Sequence, residues 1–88
     1  MTWELHLPAA HSLKDKRHVL RSLKDRMRQR FNVSAAETAH QDLWQRAELS
    51  ACLVTTDRRH AEEVLREVDR LVEGAAEARV VDRSTSWL

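Results

Sequence analysis

The chain has 88 residues, enough for one domain with one modest hydrophobic core. Apolar residues make up 42% of it and charged residues 33%, and no apolar run approaches the roughly 20 residues that span a bilayer. We therefore expect a single globular domain over residues 1–88, without a membrane segment. The one cysteine, Cys52, excludes an internal disulfide. The excluded disulfide and the lack of a signal peptide after Met1 together indicate a cytoplasmic protein.

The first half of the chain predicts a strand, a long helix and a second strand. Trp3–Leu7 alternates apolar and polar residues, as a half-buried strand does. Ser12 is a suitable helix N-cap, and Asp15 follows three residues later, as in a variant of the capping box. We therefore predict a helix from Ser12 to Phe31 and a weaker strand over Val33–Thr38.

The second half repeats this order with a stronger strand and a second helix. Residues 39–43 connect to a strand over Gln45–Thr56, and Asp57 is a good N-cap for the helix that follows. Gly74 lies where a left-handed C-terminal cap is expected, and the last strand runs from Ala78 to about Thr85. The predicted apolar face of the third strand contains Ala47, Leu49, Ala51 and Leu53.

The element order βαββαβ predicts the fold. Two β-α-β halves with right-handed crossovers give a four-stranded antiparallel sheet with both helices on one face. This is the ferredoxin-like fold of the α+β class, with the first and third strands in the centre. The face without helices is predicted to carry Glu4, His6, Glu48, Ser50 and Cys52.

Five cations form a row along the first predicted helix, beside its apolar arc. They are spaced three or four residues apart, so they lie on neighbouring turns with no acidic residue among them. Such a row could follow a phosphate backbone, or it could be a solvated helix face. We expect Lys16, Arg26 and Arg30 on the other border of the apolar arc, which would make both borders basic. We call the row the basic stripe: Lys14, Arg17, Arg21, Lys24 and Arg28.

A second concentration of functional groups lies between the second and third strands. Within six residues it holds an imidazole, a carboxylate, an indole and two amides. In a catalytic interpretation, His40 would be a base oriented by Asp42, but the local sequence offers no nucleophile or metal partner. We favour a structural loop with Trp44 as a hydrophobic plug, or a contact surface for a partner. The candidate contact residues are His40, Gln41, Asp42 and Trp44.

Other site types have little support in the sequence. The five histidines and Cys52 show no metal-ligand spacing, and we expect the cysteine to be half-buried. A single glycine excludes a glycine-rich phosphate loop and a GXXG motif. The predicted open face of the central strands lacks the aromatic residues that stack RNA bases in RRM domains. We therefore expect no cofactor, no metal and no enzymatic activity.

Three segments of the sequence together resemble a known family. AHSLKDKR (10–17), RFNVSAAE (30–37) and HQDLWQRA (40–47) are similar to the bacterial YlxP-like family, a ferredoxin-like domain of unknown function. Genes of that family commonly lie among translation-initiation and ribosome-maturation genes, near that of ribosome-binding factor A. The resemblance therefore implies a role linked to the ribosome or to RNA. The matching positions are Ser12, Leu13, Lys14, Lys16 and Arg17 in one motif, and Gln41, Asp42, Leu43 and Trp44 in the other.

Two functional hypotheses follow. The first is a non-catalytic protein that binds ribosomal RNA, a ribosomal subunit or another structured RNA through the basic stripe. The alternative is a homodimeric protein-interaction domain, formed through the sheet, with no role in nucleic-acid binding.

Overall fold

A computed structural model describes all residues, 1–88, and confirms the βαββαβ order. The third strand ends at Cys52 rather than at Thr56, so it is shorter than predicted. Neither helix has the length and apolar character needed to cross a bilayer. The elements are β1 (Thr2–His6), α1 (Leu13–Arg30), β2 (Ser34–Ala39), β3 (Arg46–Cys52), α2 (Arg58–Glu73) and β4 (Arg79–Ser84).

The four strands form one antiparallel sheet in the order β2-β3-β1-β4, so β1 and β3 are central, as predicted. Leu5 of β1 lies opposite Ala47 of β3 and Val80 of β4. The register shifts once on each edge strand, and Thr38 of β2 and Val81 of β4 are left without a partner. These irregularities are β-bulges, which bend an edge strand and interrupt its ladder.

The core lies between the sheet and the two helices, because alternate strand residues and one stripe of each helix are apolar. Trp3 is fully buried, and its indole Nε1 donates a 2.8 Å hydrogen bond to Asp69 Oδ1 on α2. Arg83 of β4 forms an ion pair with the same carboxylate at 2.7 Å. The other fully or almost fully buried core residues include Leu5, Leu7, Leu20, Leu23, Met27, Ala47, Leu49, Val68 and Val72.

Both predicted N-caps are present. The Ser12 hydroxyl accepts a 3.0 Å hydrogen bond from the Asp15 amide, and Asp57 caps α2 in the same way. The predicted left-handed cap at Gly74 is wrong, because this residue has φ −78° and ψ −4°. Its amide still donates a helical hydrogen bond to the Arg70 carbonyl at 3.0 Å, so the helical conformation continues through the cap.

Candidate nucleic-acid interface

Four cations of the basic stripe have no acidic partner. Lys14, Arg17 and Arg21 are exposed and Lys24 is half-buried, and none of the four forms an ion pair. Unpaired like charges on one helix face repel one another unless water, salt or an anion screens them. This part of the stripe is therefore available to an anionic ligand.

Arg28, at the end of the stripe, has two contacts within the protein. Its Nη2 donates a 2.6 Å hydrogen bond to the Ala35 carbonyl of β2, and its Nη1 lies 3.9 Å from Asp25 Oδ1. The carboxylate contact is long and exposed, so it neutralises the guanidinium only weakly. Arg28 thus ties the last turns of α1 to the edge strand.

A cleft of about 580 Å³ adjoins the first turns of α1. Lys14, Arg17 and Arg21 line it together with apolar Leu7 and acidic Glu77. Three of the free cations therefore border one concave surface.

Lys16 is not on an exposed basic border, and that prediction is wrong. Its side chain is fully buried, and its Nζ donates to the carbonyls of His40, Gln41 and Arg46 at 2.7, 3.4 and 3.3 Å. Glu37 Oε2 lies 2.7 Å from the same Nζ and forms an ion pair with it. The angles of this contact are not those of a hydrogen bond. A buried cation persists only when it is paired and hydrogen-bonded, and Lys16 meets both conditions. Arg26 and Arg30 are exposed, as predicted.

Lys16 thereby holds both arms of the turn between β2 and β3, which we call the Trp44 turn (His40–Gln45). The His40 carbonyl accepts from Lys16 and also from the Leu43 amide at 3.0 Å, which closes a tight turn. His40 has a positive φ of 63°, a conformation that costs a non-glycine residue free energy. In this conformation the carbonyl of His40 reaches Lys16 while its side chain reaches Glu4.

The catalytic pairing of His40 with Asp42 is not formed. His40 Nε2 lies 2.7 Å from Glu4 Oε1 instead, and Arg46 donates to Glu4 Oε2 at 3.2 Å. Burial alone would raise the pKa of Glu4, but the hydrogen bonds and charges of His40 and Arg46 lower it overall. Asp42 forms no hydrogen bond or ion pair through its carboxylate.

Trp44 is exposed, so its interpretation as a hydrophobic plug is also wrong. The accessible fraction is 54% for Trp44 and 44% for the adjacent Leu43. A shallow cleft of about 550 Å³ lies against them, on the side of the sheet that carries His6. The residues that line it are His6, Asp42, Leu43, Trp44, Gln45 and Arg46.

The sheet face opposite the helices is polar, as the alternation predicted. The Thr2 hydroxyl is hydrogen-bonded to Ser50 at 2.9 Å, Ser50 to Thr38 at 2.8 Å, and Thr38 donates to Glu48 at 2.7 Å. Cys52, predicted to be half-buried, is exposed. The histidines, cysteine and acidic residues nowhere gather in a group of three that could hold a metal ion.

Comparison with known proteins supports the resemblance found in the sequence. The family model described as "Protein of unknown function (DUF503)" matches residues 1–85, which include the basic stripe and the Trp44 turn. The uncharacterized protein YlxP of Bacillus subtilis (strain 168) is 35% identical over 78 residues, which cover 89% of this chain and 85% of that protein. The chain therefore belongs to the DUF503 family and is a YlxP-like protein.

Proposed function

We propose that this protein is a non-catalytic, cytoplasmic RNA-binding protein that uses the basic stripe to bind structured RNA. The observation that carries the proposal is a set of four cations of the basic stripe that have no acidic partner: Lys14, Arg17, Arg21 and Lys24. From Lys14 to Lys24 the helix rises about 15 Å, which lets the side chains reach several phosphates. Ribosomal RNA or a ribosomal subunit is the specific partner that the family resemblance favours.

The proposal predicts a strong dependence of affinity on salt. If the protein contacts about four phosphates of the RNA, a plot of log affinity against log salt concentration should have a slope of roughly −3.5, because binding releases the counterions of those phosphates. The measurement is fluorescence anisotropy with a labelled RNA stem-loop over a series of salt concentrations.

A matched pair of triple variants tests the location of the site. Neutralising Arg17, Arg21 and Lys24 to Gln should weaken binding strongly and reduce the slope by about one for each lost phosphate contact. The control replaces three arginines of α2 by Gln, which changes the net charge equally and should leave binding intact. Affinity that is insensitive to salt, or equal losses in both variants, would contradict the proposal. The control positions are Arg59, Arg66 and Arg70.

The alternative, a homodimeric interaction domain formed through the sheet, has less support. The open face of β1 and β3 carries Glu4, His6, Glu48 and Ser50, which form no contiguous apolar patch. Stable homodimer interfaces are more apolar than this. Light scattering at high micromolar concentration separates the two hypotheses, since the alternative requires twice the monomer mass without RNA.

A further inference from the structure

The Trp44 turn presents an indole to solvent from a rigid base. Lys16 Nζ bonds to the carbonyls of His40 and Gln41 on one arm and of Arg46 on the other. Gln45 Nε2 donates to the carbonyls of Pro8 and Ala10, each at 3.3 Å, which fixes the same arm to the segment before α1.

This rigidity matters for binding. A side chain on a preordered turn loses little conformational entropy when a ligand covers it. Trp44 is also more than half exposed, although an indole is among the side chains with most to gain from burial. The turn thus has the properties of a binding element rather than of a core contact.

The cleft beside Trp44 offers hydrogen-bonding groups that the fold does not use. The His6 imidazole and the Asp42 carboxylate form no hydrogen bond or ion pair, and both line the cleft with Trp44. A flat apolar face beside a free acceptor and an imidazole matches the two needs of a nucleobase, which are stacking and edge hydrogen bonds.

The cleft also lies next to the first turns of the basic stripe. Gln45 lines the cleft beside Trp44 and donates to the Ala10 carbonyl, and Ala10 in turn lines the cleft that Lys14, Arg17 and Arg21 border. A chain of phosphates on the stripe would therefore continue toward the turn. This charge complementarity favours an RNA ligand at Trp44 over a protein segment.

We propose that Trp44 stacks on an unpaired nucleobase of the RNA whose phosphates contact the basic stripe, with His6 and Asp42 facing the edge of that base. The inference rests on the proposed function and extends it to a substrate class: structured RNA with an unstacked nucleotide in a loop or bulge, rather than an uninterrupted duplex.

The test compares two labelled RNAs with the same number of phosphates, one a stem-loop and one a blunt duplex. The wild-type protein should bind the stem-loop about tenfold more tightly, since stacking of one base supplies a factor of about 5 to 150. Trp44→Ala should remove this preference and leave the duplex affinity and its salt slope unchanged. Trp44→Phe should retain part of the preference. Trp87→Ala, which removes an indole that stacks on Arg58, is the matched control and should retain all of it.

Each outcome is decisive. Equal wild-type affinity for the two RNAs, or a preference that survives in Trp44→Ala, would overturn the stacking site. Failure of both RNAs to bind would overturn the proposed function itself.

Discussion

Lys16 Nζ lies 2.7 Å from Glu37 Oε2, and the lysine side chain has no solvent-accessible surface. The pair joins the first turn of α1 to the helix-facing side of β2. Two backbone carbonyls of the Trp44 turn and that of Arg46, at the start of β3, also accept from the ammonium group. One cation therefore stabilises a contact between a helix, an edge strand and a turn.

Replacing this lysine should destabilise the protein strongly. Lys16→Met keeps most of the side-chain volume but leaves the Glu37 carboxylate and the carbonyls of the turn without their partner. Removing one member of a buried pair costs about 3–5 kcal/mol, and we expect a loss in this range in urea denaturation. The exposed neighbour provides the control, since Lys14→Met should change the free energy of unfolding by less than about 0.5 kcal/mol.

A double variant separates the charge from the packing. If the loss in Lys16→Met comes from the orphaned carboxylate, adding Glu37→Leu should recover part of it. Additive losses in the double variant would contradict this account.

The sequence predicted most of the fold because periodicity and caps are local signals. The alternation in β1 and β3 identified the buried faces, and Ser12 and Asp57 located the helix starts. The predicted position of Lys16 on an exposed border of α1 is wrong, although this residue shares a helical row with the buried Leu20, Leu23 and Met27. Its partners lie in β2, in the Trp44 turn and at the start of β3, 21 to 30 residues further along the chain, and a helical wheel contains no such information.

The candidate site was predicted in part for the same reason. The basic stripe follows from spacing on one helix, and its exposure could be expected. The contact between His40 and Glu4 could not be predicted, because it depends on the positive φ of His40 and on where the turn places the imidazole ring. The exposure of Trp44 also depends on the tertiary structure. Tryptophan side chains are on average well buried, so the residue type alone favours the opposite expectation.

Glu4 should make stability depend on pH in the acidic range. Its pKa in the folded protein is lowered from the ordinary value of 4.5, so the ionised carboxylate stabilises the fold above this value. That contribution should be lost as the pH falls through the lowered pKa. Glu4→Gln should therefore be less stable than the wild type at neutral pH, and the difference should shrink well below pH 4.5 in urea titrations. A difference that stays constant or grows on acidification would contradict the assignment.

The backbone strain at His40 can be measured with two substitutions. His40→Ala and His40→Gly both remove the contact with Glu4, but only glycine adopts a φ of 63° without a steric penalty. We expect the glycine variant to be more stable than the alanine variant by about 1 kcal/mol in chemical denaturation. Equal stabilities would mean that the turn relaxes to a negative φ once the imidazole is gone.

The hydrogen bond between Trp3 and Asp69 should contribute measurably to the docking of α2 on the sheet. Trp3→Phe keeps an aromatic ring in the core but removes the indole donor from a 2.8 Å bond to a carboxylate. Bonds to charged groups are worth about 1.5–3 kcal/mol, so we expect a loss of about that size. The control Trp87→Phe, at a position that is 42% exposed, should have little effect.

A double-mutant cycle with Asp69→Ala isolates the bond from the packing of the ring. Asp69 also pairs with Arg83 at 2.7 Å, so its removal costs free energy even where Trp3 is absent. The two substitutions should nevertheless be non-additive by about 1–2 kcal/mol, because each alone breaks the same bond. Additivity within about 0.3 kcal/mol would assign the whole loss in Trp3→Phe to ring volume and leave α2 held by apolar packing and the Arg83 ion pairs.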